Sequence, residues 1–226
     1  MDYCAYSNRE LELIADDLNR RYDATRLTKP KTVDVYDVID MVGARIAIDY
    51  LTPDRSVLGA TVLKTSEVYV WPGSPYFTGM LPRLRMYRKG TIIIDRSLNE
   101  SKLEQDRFVE NFTAIHECFH VTRHMGLDLD DCIYETAPAS SSRLPEKGTV
   151  RYRLERQADY AAAAFLMPRE AVCKAAEEVF GVRGMVSFCR AVKPQIKELG
   201  RLFGVNGTPM EYRLQELGLL SDYISI

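Results

Sequence analysis

The sequence predicts an α+β protein: a small mixed or antiparallel sheet packed on a histidine-bearing helix, followed by a helical C-terminal part. Three observations predict it. Apolar residues recur at helical spacing at the start of the chain. They give way between about 44 and 94 to short runs of β-branched residues separated by Gly, Pro and Asp. Helical spacing then returns and persists to about Leu220.

Ser7-Asn-Arg-Glu10 reads as a capping box, and Leu11, Leu13, Ile14 and Leu18 continue it as an amphipathic helix over 7–23. A short helix is expected from Asp34 to Val42, closed by Gly43. Strands are expected at Ala44–Leu51, Val57–Leu63, Val68–Trp71 and Thr91–Ile94. Residues 72–90 hold three prolines and four basic residues (Arg83, Arg85, Arg88, Lys89). That composition excludes a central strand and predicts a long loop near a sheet edge. The histidines fall on a helix over 102–125. An acidic, then Ser-rich loop is expected over 127–150, and helix again from Tyr152 to Leu166. Pro168 suits the first turn of the next helix. The expected division is a core over 1–170 and a helical, helix-turn-helix-like part over 171–226.

The formal net charge of −2 over 226 residues gives no global field toward nucleic acid or anionic membrane. The five cysteines (Cys4, Cys118, Cys132, Cys173, Cys189) are odd in number and form no CxxC pair, which argues for a reducing compartment. The first residues carry no basic and apolar leader pattern. The longest apolar run, Tyr160–Met167, is too short for a bilayer. A cytoplasmic location without membrane contact is expected.

All three histidines lie in IHECFHVTRH, Ile115 to His124. His116 and His120 sit one helical turn apart on one face, where both imidazoles can hold one Zn²⁺. Glu117 lies at the margin of that face, where a general base can reach an attacking water. Phe108, Phe112, Ile115 and Phe119 form a separate stripe that would pack into the core and turn the histidines toward a cleft. A helix holding two histidines by chance is the plain alternative. His124 lies roughly 12 Å along the axis from His116, too far for the same ion; a pocket-rim or capping role near Gly126 is expected for it. Cys118 points elsewhere and reads as a small buried hydrophobe.

Zinc needs another protein ligand and an open position. In LERQADYAAAAFLMP, Leu154 to Pro168, Glu155 and Asp159 share a helix face. Glu155 can bind the metal. Asp159 can accept a hydrogen bond from the far nitrogen of a ligand histidine, His116 being the expected one. The surrounding alanines permit close helix approach, although alanine also favours helix for its own sake.

FTAIHECFH followed by LERQADYAAAAFLMP resembles the ImmA/IrrE-type zinc metallopeptidases, whose strings run close to FTLAHELGH and EREANRFAAELLMP. The resemblance extends to the N-terminal helix and to IKELGRLFGVNGTPMEYRLQELGLL. It implies zinc ligands at His116, His120 and Glu155, with Glu117 catalytic. It also implies cleavage of a helix-turn-helix repressor that releases mobile-element or stress genes. Cys118 and Phe119 depart from the usual Leu-Gly, and Gln157 from a usual acid.

The expected reaction is hydrolysis of a peptide bond in a protein substrate, with Glu117 taking the proton of the attacking water. Tyr134, Arg151, Tyr152 and Tyr160 are candidates for stabilising the oxyanion, by proximity in the chain. The basic loop can line a substrate groove or be a solvated face. The alternative function is a DNA-binding or toxin-type regulator with a vestigial or structural metal site. Leu199–Leu220 has the look of helix, turn, helix, with Asn206, Thr208, Glu211 and Arg213 on its face. That face is weakly basic, so direct DNA binding is not expected.

Overall fold

The computed structural model describes residues 6–73, 81–127, 132–136 and 147–221. It is α+β with a helical C-terminal part. By contacts the chain divides into two units, one of residues 35–159 with Tyr6, the other of residues 7–34 and 160–221. The boundary predicted at 170 is therefore corrected: the N-terminal helix groups with the C-terminal helices.

In the first unit, helix α2 (Val35–Met41) ends at Gly43, whose φ of +74° is a left-handed conformation that glycine accepts without strain. Strands β1 (Arg45–Asp49), β2 (Val57–Val62), β3 (Ser66–Val70), β4 (Arg83–Tyr87), β5 (Thr91–Asp95) and β6 (Cys132–Thr136) form two sheets. The larger has the order β1-β5-β2-β6, with β1 and β5 parallel and the other pairs antiparallel. The smaller pairs β3 with β4. β5 is buried along its whole length, which explains its unbroken apolar run. Beyond a bulge near Val57, β2 turns Ala60 and Val62 into a core cluster with Val68, Val70, Tyr87 and Ile93. Its other face carries Gly59 and Thr61.

Two strands lie where loops were predicted. β4 falls in 72–90, of which 74–80 lie outside the described residues. β6 falls in 127–150, of which 128–131 and 137–146 lie outside them. Arg85, read as a groove-lining or solvated residue, is bound by Asp49, its Nη1 lying 2.8 Å from each carboxylate oxygen.

After a short helical turn α3 (Arg96–Asn99) comes α4 (Glu104–Phe119), which continues as a wider π-helical turn over His120–His124. Glu104 and Asp106 in its first turn favour the helix dipole. α5 (Val150–Leu166) is shared: its residues through Asp159 count with the first unit.

In the second unit, α1 (Asn8–Asp23) carries the expected capping box between Ser7 and Glu10. Helices α6 (Arg169–Phe180), α7 (Lys193–Phe203) and α8 (Gly207–Glu216) follow. Buried Arg213 on α8 forks onto Glu12 of α1 (2.7 and 3.0 Å), and its Nε donates to the Met167 carbonyl. Asn19 and Arg26 donate to the Phe165 carbonyl, and Arg26 also to that of Leu166. These bonds satisfy the carbonyls that the end of α5 leaves open.

Candidate metal centre

α4 is buried on more than its apolar stripe. Phe108, Ile115 and Phe119 are buried as expected, but so are Thr113, Ala114, His116, Glu117 and Cys118. His116 and His120 are at most 1% exposed. At its edge the group reaches solvent, with Asp159 half exposed and Glu155 slightly so.

The rings of His116 and His120, four residues apart, lie with centroids 4.8 Å apart and are tilted by 56°. Their Nε2 atoms lie 3.0 Å from each other. Glu155 Oε2 from α5 lies 3.1 Å from the first and 3.6 Å from the second. A tetrahedral ion with bonds of about 2.0–2.1 Å has ligand–ligand edges of about 3.3–3.4 Å, inside the range of those three distances. The chemistry of the donors fits as well. Burial pushes the His120 imidazole toward its neutral form, against the pull of Glu155. Burial would raise Glu155, yet hydrogen bonds from His116 and His120 and their charge hold it well below the usual carboxylate range. Neutral imidazole and ionised carboxylate are the ligating forms. Glu155 Oε1 is buried with no hydrogen-bond partner among the described residues, so this carboxylate has a second oxygen available to a cation. His116, His120 and Glu155 can hold a metal ion.

The far side of each ring is also engaged. Asp159 Oδ1 lies 3.0 Å from His116 Nδ1, the pair expected from the sequence. His124 is corrected from a rim residue to a buried one, at 1% exposure. Its Nδ1 lies 2.7 Å from His120 Nδ1 and its Nε2 3.4 Å from Gln157 Oε1. Burial, and then the neighbouring His120, push its pKa down to about 3. The contact between His120 and His124 was missed. Their four-residue spacing, the same as between His116 and His120, was the available signal.

Glu117 is fully buried, and its Oε2 accepts a hydrogen bond from Thr61 Oγ1 on β2 at 2.5 Å. The same hydroxyl lies 3.2 Å from the Glu117 carbonyl. Gly59, two residues earlier on the same face of β2, makes this approach possible. A Cβ there would meet Thr113 Cγ2 at 2.5 Å and Glu117 Oε1 at 3.0 Å. Neither Gly59 nor Thr61 was legible as a site residue, since nothing local ties β2 to α4.

No protein-family model and no curated protein matches this chain.

The remaining candidates separate. Tyr160 falls in the second unit, where its hydroxyl donates to Glu12. Arg151 is exposed and Tyr152 partly buried at the start of α5. Tyr134 lies on β6, paired with Ala60, and its side chain lies outside the described residues. Cys118 is buried, and burial drives its thiol pKa far up, so it is an inert apolar residue. Arg213, counted on the helix-turn-helix face, is fully buried against Glu12 and offers no phosphate contact.

Proposed function

We propose that this protein is a cytoplasmic zinc-dependent endopeptidase of the ImmA/IrrE type, acting on a protein substrate, with a helix-turn-helix repressor the expected one. The observation that carries the reading is the convergence of His116 Nε2, His120 Nε2 and Glu155 Oε2 within 3.0–3.6 Å. The residue after the first of these, Glu117, is of the type a general base requires. Three ligands favour catalysis over a structural role, which would close the site with four. Among the described residues no helix is long and apolar enough to cross a membrane.

His116, His120 and Glu155 hold the ion, and the mixed sheet backs the helix that supplies two of them. A bound Zn²⁺ supplies Lewis acidity, lowering the pKa of water toward about 7 and polarising the scissile carbonyl. Asp159 holds His116 so that Nε2 is the nitrogen presented to the metal. Glu117 takes a proton from the attacking water and delivers it to the leaving amine. Thr61 and the β2 backbone at Gly59 restrict where the Glu117 carboxylate can lie, so the base is positioned before substrate arrives.

The test compares wild type, Glu117→Gln and chelator-stripped protein against purified helix-turn-helix repressors encoded near it, with metal content measured in parallel. Cleavage by wild type alone, with zinc retained in Glu117→Gln, supports the reading. Intact repressors in all three samples, or wild type that takes up no zinc, overturn it.

A further inference from the structure

We infer that His124 and Gln157 form a hydrogen-bonded relay that positions His120 as a metal ligand, making them a second, buried support distinct from Asp159. The inference rests on the metal reading proposed above. The argument is one of donor and acceptor direction. If His120 presents a lone pair at Nε2, its ring proton sits on Nδ1. That proton faces His124 Nδ1 at 2.7 Å, so His124 Nδ1 must accept. The His124 proton then lies on Nε2, which faces Gln157 Oε1 at 3.4 Å. The Gln157 carbonyl can only accept, so it ends the chain with every direction consistent.

The geometry of the backbone supports the same assignment. The wider turn over His120–His124 places the two rings 4.8 Å apart and tilted by 58°, which lets the Nδ1 atoms meet. Wide turns of this kind concentrate at functional sites. Phe119 packs edge-on against the His124 ring at 5.3 Å, which limits its rotation. The two ligand histidines are thus held differently. His116 leans on a half-exposed carboxylate; His120 leans on a neutral imidazole enclosed by protein.

A positioning role predicts graded effects on zinc affinity, measured by competition with a chromophoric chelator on the full chain. His124→Leu removes the acceptor and is expected to weaken zinc binding about 10–100-fold. His124→Asn keeps an acceptor oxygen near the Nδ1 position and is expected to recover most of that loss. Gln157→Leu leaves His124 in place without its outer partner and is expected to weaken binding in the same direction, by less. Cobalt(II) loaded into His124→Leu should show a shifted visible spectrum, and in His124→Asn a spectrum close to wild type. If His124→Leu fails to fold, Gln157→Leu decides. Folded variants lacking the acceptor that bind zinc as wild type does would overturn the relay while leaving the metal centre. A wild type that binds no zinc would remove both.

Discussion

At the scale of single residues, the centre depends on which atoms have their protonation state imposed by neighbours. Asp159 faces His116 Nδ1 at 3.0 Å. Asp159→Asn keeps the shape and removes the charge, so zinc affinity should fall about 10–100-fold, read by chelator competition. Thr61 donates to the buried Glu117 carboxylate. Thr61→Val should cost about 1.5–3 kcal/mol in chemical denaturation, the range for a hydrogen bond to a charged group. Thr61→Ser, which keeps the hydroxyl, should recover most of it. Cys118 is buried and its thiol held protonated, whereas Cys189 is exposed. Iodoacetamide should therefore label Cys189 in the native protein and reach Cys118 only after unfolding, as mass mapping would show. His116, Glu117, His120, Glu155 and Asp159 were legible because helical spacing alone dictates which of them share a face. Thr61 and His124 were not, since their parts depend on the strand and the wide turn that bring them in.

Among the elements, the approach of α4 to β2 is the contact that sets Thr61 against Glu117. Gly59 is required there by space rather than by backbone conformation. Gly59→Ala should destabilise the fold by about 1–3 kcal/mol through overpacking. On the proposed peptidase reading it should lower activity more than zinc content, because the added methyl presses on Thr113 and Glu117 and not on His116, His120 or Glu155. The two overlooked strands show why some elements escape a local reading. Along β4 Leu84, Arg85 and Met86 are exposed and Tyr87 is buried, with Arg85 and Tyr87 both bonded to Asp49. It offers no burial alternation to read, and it is held because Asp49 pairs with Arg85 and accepts from the Tyr87 hydroxyl. β6 is five residues long and gains its ladder only from β2, so propensity in 127–150 carries little sign of it. The long helices were readable because their periodicity spans several turns.

Across the whole chain, the ends are brought together by a bond that no local pattern announces. Glu12 and Arg213 are 201 positions apart, and both are drawn from water. Removing the Glu12 charge leaves buried Arg213 with Glu216 at 3.6 Å as its remaining carboxylate, so Glu12→Gln should cost about 3 kcal/mol of stability, the low end for a broken buried pair. Burial would raise the Glu12 pKa, but hydrogen bonding and charge from Arg213, with Tyr160 and Arg169, bring it below its ordinary 4.5. A depressed folded-state value means that its stabilising effect is present above the ordinary value and fades as pH falls through the lowered one. Asp16 nearby is raised by burial and opposes this weakly. The wild-type melting temperature should therefore fall between about pH 5 and 3 more steeply than that of Glu12→Gln. By itself, the amino-acid order determined the α+β class, the helix start at Ser7 and the placing of two imidazoles and a carboxylate on two helix faces. Each of these follows from spacing within one element. Tertiary structure alone decided that α1 joins the C-terminal helices, that Arg85 pairs with Asp49 and Arg213 is buried against Glu12, and that Thr61 of β2 meets Glu117 while His124 meets His120. Those outcomes rest on groups distant in sequence satisfying one another's charge and hydrogen bonds, which only the assembled chain can do.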